Sequence, residues 1–112
     1  MVLTWNKATD QSSTEEIAAA TVECLMRTVP AAVPGIAFLS GGQASKDATN
    51  RLNLMNKRYK SKMPWALAFS FSRALQFPSM EIWGGQSENI NATQKALQRR
   101  ALLNAKACEG AY

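Results

Sequence analysis

The apolar positions of the chain follow two periods, which predicts an α/β fold. Apolar residues recur every three or four positions from Ser13 to about Thr28, from Gln43 to about Lys57 and from about Asn91 to Cys108. This is the spacing of one face of an α-helix. Nearly continuous apolar runs at 35–40 and 64–70 are typical of strands buried on both faces of a parallel sheet. The predicted order is α-β-α-β-α, with no element assigned between the second strand and the last helix.

Local signals mark where the first and last predicted helices begin or end. Ser13-Thr14-Glu15-Glu16 has the form of a capping box, in which serine and glutamate side chains accept each other's backbone N–H groups. Pro30 stops the first helix, because proline cannot continue it. Gly110 lies where a left-handed residue would close the last helix.

The two predicted strands do not make a complete fold. Their starts are about 30 residues apart, which is the repeat length of a strand–helix–strand unit. A two-stranded parallel sheet has two open edges and little core, and parallel sheets are normally covered on both faces. We therefore expect residues 1–112 to be one segment that needs further strands, from sequence outside these residues or from another chain.

The composition narrows the chemistry. The 112 residues contain no histidine, which excludes Ser-His-Asp and Cys-His catalysis and any histidine-containing metal site within this chain. Cys24 and Cys108 are isolated, so we expect reduced and mostly buried thiols rather than disulfides or a zinc site. No apolar run is long enough for a bilayer, and the N-terminus lacks a signal-peptide layout. We expect a cytoplasmic protein without cofactor or metal.

The net charge of +5 and the pI near 9.6 favour anionic partners. These could be nucleic acid, a phosphorylated small molecule or an acidic surface. The basic connection KRYKSK at 57–62 would be the core of a nucleic-acid surface. No RNP-type or helix-turn-helix pattern accompanies it, so a solvated loop is favoured.

The string LSGGQ at 39–43 matches the signature of ATP-binding-cassette ATPases. Such enzymes also need a G-x-x-x-x-G-K-[ST] loop and an acidic strand end that handles magnesium. Neither occurs here, and the chain has only the two aspartates Asp10 and Asp47. Because a strand precedes the glycines and a helix follows, the string predicts a turn whose backbone can approach an anion, or a tight turn without a ligand.

The second predicted strand ends in Ser70-Phe71-Ser72-Arg73. If the two strands are parallel neighbours, both ends lie at one edge of the sheet. A glycine turn, serine hydroxyls and an arginine fork then suit one phosphate group. The loops after the last two strands of a (β/α)8 barrel often form such a site. The candidate phosphate-binding residues are Ser40, Gly41, Gly42, Ser70, Ser72 and Arg73.

Several runs of the sequence stand in one collinear order between about Glu15 and Tyr112. They are RTVP and AVPG within 27–35, FLSGGQ at 38–43, LN and NK within 52–57, PWAL and FS within 64–70, RALQ at 73–76, and WGG and EN within 83–89. Together these runs resemble class I fructose-bisphosphate aldolase. The resemblance implies the C-terminal part of a (β/α)8 TIM barrel, about its last two strands with their helices. It also implies a usually homotetrameric, metal-independent enzyme of glycolysis and gluconeogenesis. That enzyme cleaves fructose 1,6-bisphosphate reversibly into dihydroxyacetone phosphate and glyceraldehyde 3-phosphate through a lysine Schiff base.

The resemblance also implies roles for individual residues. The phosphate-binding serine and glycine of the family's L-S-G-G fall on Ser40 and Gly41. The family segment F-S-[YF]-G-R-A-L gives Ser70 and Arg73 phosphate-contacting roles. Its glycine before the arginine is Ser72 in this chain, and a Cβ at that point would reshape the approach to phosphate.

The same resemblance places the catalytic lysine outside these residues. In the family it belongs to an L-L-K-P-N-M-V strand end, of which Met1-Val2 resembles the last two letters. The rest of residues 1–12 diverges from the family. Six lysines lie on predicted polar faces or in the basic connection and Lys7 lies in no predicted element, so we nominate none as a substitute for the catalytic lysine. We expect the chain to retain a sugar-phosphate site and to be inactive alone. The alternatives are a noncatalytic relative that binds phosphate or pairs with intact aldolase subunits, and a basic nucleic-acid-binding module.

Overall fold

A computed structural model describes residues 1–112 as four α-helices and two β-strands. The helices are α1 (Thr14–Thr28), α2 (Ser45–Tyr59), α3 (Arg73–Trp83) and α4 (Ile90–Glu109). The strands are β1 (Gly35–Phe38) and β2 (Ala66–Phe69). The three predicted helices and both predicted strands are confirmed, with ends shifted by a few residues.

Helix α1 begins as its sequence predicts. Ser13 Oγ accepts from the Glu16 N–H at 3.2 Å, and Glu16 Oε2 accepts from the Ser13 N–H at 2.7 Å. Both halves of the capping box are therefore formed, which satisfies two backbone donors that have no acceptor inside the helix. The helix buries Ile17 and Val22 toward the core and ends at Thr28.

The capping box predicts a pH-dependent contribution to stability. Its hydrogen bonds, first that from the Ser13 backbone, hold the pKa of Glu16 below its ordinary value of 4.5. A lowered folded-state pKa means that ionised Glu16 stabilises the fold fully above about pH 4.5, and that this stabilisation disappears as the pH falls through the folded-state pKa. We expect the unfolding free energies of wild type and Glu16→Gln to converge on acidification. Urea denaturation across this pH range measures the difference, and a constant gap would contradict the prediction.

Strands β1 and β2 pair in parallel, with Gly35 opposite Ala66 and Phe38 opposite Phe69. The Ser70 N–H donates to Phe38 O at 2.7 Å, so hydrogen bonding continues one residue past β2. The predicted parallel pairing is confirmed. Both carboxyl ends therefore meet at one edge of the sheet, where the glycine turn and the Ser70–Arg73 segment begin.

The core lies between one face of the sheet and the helices. Phe38 and Leu67 are buried on that face, and Leu52 of α2 has no exposed surface. On the opposite face Ala37 and Ala66 are exposed, because no helix packs there. The prediction that the strands are buried on both faces is wrong for this chain, whose two strands form no closed barrel.

The sequence pattern predicts no element over Arg73–Trp83, where the structure has helix α3. Its interior contains Pro78, which lacks a backbone N–H and normally breaks a helix. Its buried residues are only Ala74 and Ser79, so no apolar stripe marks it. Packing against α4 stabilises α3, and the alternation of strands and helices was the signal that could have revealed it.

Both cysteines are free, but they are not mostly buried as expected. Cys24 is exposed and Cys108 is half-buried. Their positions on α1 and α4 explain this, because each lies at the margin of its helix's packed face. Partial burial raises the pKa of the Cys108 thiol, which lowers the fraction of reactive thiolate at neutral pH.

Candidate phosphate site

Residues 40–43 form a tight turn between β1 and α2. The Gln43 N–H donates to Ser40 O at 3.1 Å, and Gly41 and Gly42 have φ values of 58° and 80°. Residues with a Cβ rarely adopt such values. The turn therefore requires its glycines for conformation, and they also leave its outer surface without side chains. Ser40 is 4% exposed and anchors the inner side of the turn.

Gln43 fixes the turn through its side chain. Its Nε2 donates to Ser40 O at 2.8 Å, and its Oε1 accepts from Arg51 Nη1 at 2.9 Å. The same carbonyl of Ser40 thus accepts from both the backbone and the side chain of Gln43. Sequence reasoning missed Gln43 and Arg51, because nothing in the local pattern shows that α2 directs Arg51 back to the turn.

Helix α2 starts directly after the turn without a side-chain cap. Its N-cap residue is Ala44, which makes no side-chain hydrogen bond to the helix. The first N–H groups of an α-helix have no intrahelical acceptor, and this end carries a partial positive charge. The donors of the first turn are therefore available to an anion next to Gly42.

Arg73, the first residue of α3, reaches this turn from the neighbouring strand end. A Cβ built on Gly42 would lie 3.9 Å from Arg73 Nη2. The guanidinium is exposed, and the single ion pair of the structure joins Glu23 and Arg27 instead. Its charge is thus unpaired beside the uncapped end of α2. A groove of about 280 Å³ lies between the start of α2 and the start of α3. It is lined by Gly42, Gln43, Ala44, Ser45, Arg73, Ala74 and Phe77.

The three serines of the predicted site occupy different positions. Ser40 is buried, while Ser70 and Ser72 are exposed. Ser72 is the N-cap of α3, with φ −92° and no side-chain hydrogen bond to the helix. Any residue can adopt a negative φ of this size, so a serine causes no left-handed strain there. None of the three lines the groove between Gly42 and Arg73.

A larger cavity of about 560 Å³ lies on the other side of the turn. Residues 1–12 form one wall, including Trp5, whose exposed fraction is 69%. Gly41 lines this cavity together with Asp47 and Arg51, which bring charges of both signs. The turn therefore separates a cavity of mixed charge from a groove whose charged residue is Arg73.

No lysine of the chain is buried. The seven are Lys7, Lys46, Lys57, Lys60, Lys62, Lys95 and Lys106, and all are exposed. A nucleophilic amine needs a lowered pKa, which burial or a neighbouring cation provides.

The structure contains no group of three or more His, Cys, Asp or Glu side chains placed to hold a metal ion. None of its helices has the length and apolarity needed to span a membrane.

The sequence is similar to fructose-bisphosphate aldolases along its whole length. The family model described as "Fructose-bisphosphate aldolase class-I" matches residues 1–112. Fructose-bisphosphate aldolase B of Ovis aries is 50% identical over 112 residues, and the muscle-type enzyme of Lethenteron camtschaticum is 49% identical. These matches cover 100% of this chain but 30% and 31% of the relatives. The chain thus spans about a third of their length.

The fold is similar as well. A co-crystal structure of fructose-bisphosphate aldolase from Plasmodium falciparum, in complex with TRAP and a small molecule inhibitor, matches with a TM-score of 0.88 and 40% identity. The match covers 96% of this chain and 30% of that one. The predicted fold class is confirmed: the chain is an incomplete α/β part of a TIM-barrel aldolase fold. The chain belongs to the class I fructose-bisphosphate aldolase family.

Proposed function

We propose that this chain is the sugar-phosphate-binding part of a fructose-bisphosphate aldolase and binds one phosphate group in the groove at the start of α2. The observation that carries the proposal is the unpaired Arg73 guanidinium beside Gly42, at a helix end without a cap. A phosphate there would meet a guanidinium fork and backbone N–H groups. It would also meet no carboxylate among the groove-lining residues.

Each candidate residue has a proposed role. Ser40, Gly41 and Gly42 provide the turn whose backbone approaches the phosphate. Arg73 supplies charge and two parallel donors. Ser70 and Ser72 are exposed at the same sheet edge and do not line the groove. We propose that their hydroxyls contact the phosphate on the side that faces away from the groove.

The phosphate site would serve aldol chemistry by positioning. Holding one phosphate of fructose 1,6-bisphosphate fixes that end of the sugar, which lowers the entropy cost of bringing its carbonyl to a reacting amine. In the complete enzyme that amine would be the Schiff-base lysine, and reversible cleavage would give dihydroxyacetone phosphate and glyceraldehyde 3-phosphate. Residues 1–112 form one segment in this proposal, with residues 1–12 as its divergent stretch. A homotetramer in the cytoplasm is the proposed context.

We further propose that these 112 residues bind phosphate without catalysing cleavage. The support is that every lysine is exposed, so none has the desolvated surroundings that make an amine nucleophilic at neutral pH. Borohydride treatment in the presence of fructose 1,6-bisphosphate is expected to trap no lysine adduct. A trapped adduct with measurable turnover would overturn this part of the proposal.

The direct test is titration of the 112-residue chain with inorganic phosphate, followed by amide NMR. We expect saturable shifts at Gly41, Gly42 and Lys46, with a Kd of about 1 mM for a single phosphate group. Fructose 1,6-bisphosphate should shift the same amides, and added salt should weaken both. Shifts confined to the basic segment 57–62 would instead favour a nonspecific anion or nucleic-acid surface. That segment lies at the far end of α2, about 20 Å from the groove.

A further inference from the structure

A buried arginine without a counter-ion lies behind the first turn of α2. Arg100 of α4 is 8% exposed. Its Nη2 donates to Ser45 O at 2.7 Å and also to Thr49 Oγ1. No carboxylate pairs with it, since the ion pair of the structure is formed on α1. Burying a charge without a counter-ion is costly, so the feature requires an explanation other than stability.

Thr49 and Asn104 complete this buried cluster. Thr49 Oγ1 lies 2.6 Å from Asn104 Oδ1 and 2.8 Å from Ser45 O, and neither Thr49 nor Asn104 has exposed surface. Arg100 Nε and Asn104 Nδ2 have no hydrogen-bond partner. Well-packed apolar side chains would avoid the free-energy cost of burying these two donors without acceptors. The polar cluster is therefore poorly suited to stabilising the contact between α2 and α4.

Ser45 connects the cluster to the candidate phosphate site. It is the first residue of α2 and lines the groove between Gly42 and Arg73. Backbone carbonyls of a helix point away from its N-terminus, while the first N–H groups point out of it. A hydrogen bond that holds Ser45 O therefore also sets the direction in which the donors of the first turn face.

We propose that Arg100 is a positioning residue for phosphate binding, which it supports by holding the first turn of α2 so that its N–H groups face the groove. The inference rests on the proposed phosphate site. Arg100 does not line the groove, so it acts through Ser45 and makes no contact with the anion. Through Arg100, helix α4 takes part in phosphate binding although it contributes no residue to the groove.

The test compares Arg100→Met with Arg99→Met in the 112-residue chain. Both variants remove one positive charge from neighbouring positions of α4, but Arg99 is exposed. We expect Arg100→Met to weaken inorganic phosphate binding about tenfold, since a charged group's hydrogen bonds are lost. Hydrogen exchange at the Ala48 and Thr49 amides, which close the first turn, should also accelerate about tenfold. Arg99→Met should change neither quantity.

Two further measurements separate positioning from general destabilisation. Urea denaturation reports the global stability of each variant, and Arg100→Lys, which keeps a cation and a donor, should recover most of the phosphate affinity. If Arg100→Met does not fold, Thr49→Val replaces it, because it removes one acceptor of Arg100 while retaining size. An Arg100→Met affinity equal to that of Arg99→Met, with normal wild-type binding, overturns this inference alone. Absence of wild-type binding overturns the proposed function and, with it, the role of Arg100 in binding.

Discussion

Gly110→Ala is expected to destabilise the chain by about 3 kcal/mol. Gly110 has φ 74°, and a Cβ there would lie 2.9 Å from Lys57 N and 3.0 Å from Lys57 Cα. Both are backbone atoms of α2, which cannot move aside as the end of a flexible side chain would. The left-handed conformation costs about 1 kcal/mol, and the overpacked contact adds about 2 kcal/mol. Urea denaturation of both proteins measures the loss.

The matched control is Gly84→Ala. Gly84 closes α3 with φ 55°, and an added Cβ would meet nothing within 4 Å. This substitution carries the conformational penalty without the contact, so about 1 kcal/mol is expected. The difference in unfolding free energy between the two variants therefore measures the cost of the contact between the added Cβ and the backbone of α2. Equal losses would contradict the close contact between the end of α4 and α2.

The importance of Gly110 comes from the way it ends α4. Its N–H donates to Ala107 O at 3.2 Å, and the Ala111 N–H donates to Lys106 O at 3.0 Å, the pair of bonds of a Schellman motif. This turn directs the chain back across α2, where the Tyr112 N–H donates to Asn53 Oδ1 at 3.0 Å. One glycine therefore determines both the helix end and its packing.

Arg73→Gln is expected to weaken phosphate binding about 30-fold, equivalent to about 2 kcal/mol. The substitution removes the charge of the groove while retaining a polar side chain. Because Arg73 is exposed and has no carboxylate partner, its removal leaves no buried charge behind, and the fold should keep its stability. Titration with inorganic phosphate, followed at the Gly42 amide, measures the change.

Two variants make the Arg73 result specific. Arg58→Gln removes the same charge at the exposed far end of α2, about 20 Å from the groove, and should alter the affinity less than twofold at physiological salt. Arg73→Lys keeps the charge without the planar fork, so an intermediate loss of about fivefold is expected. Equal effects of Arg73→Gln and Arg58→Gln would show that net charge alone attracts the anion, and would count against a built site.

Helix prediction succeeded where a short stretch of sequence carried the whole signal. The capping box at Ser13–Glu16 formed both of its hydrogen bonds, and Gly110 took the left-handed conformation expected of a helix end. Helix α3 was missed because its signal is not local. Pro78 interrupts the pattern, and the packing against α4 that stabilises this helix is a tertiary contact that the residues of α3 do not encode by themselves.

For the candidate site as well, the sequence predicted the features that depend on local residues and missed those that depend on tertiary packing. Its position at the carboxyl ends of two parallel strands followed from the order of elements and from the double glycine. The sequence placed six residues around one phosphate, whereas the structure brings two of them, Gly42 and Arg73, to one groove. The other four lie outside its lining: Ser40, Gly41, Ser70 and Ser72. Side-chain direction at a strand end depends on how the next helix docks, which residue type does not reveal.

The sequence by itself determined the family, the parallel βα arrangement and the glycine turn, because periodicity, capping and turn chemistry act over a few neighbouring residues. Only the tertiary structure decided which sheet face is covered, that Arg73 reaches Gly42, and that Arg100 holds Ser45. Arg100 and Ser45 are 55 residues apart in sequence. Contacts across such separations arise from the packing of whole helices, so no local pattern encodes them.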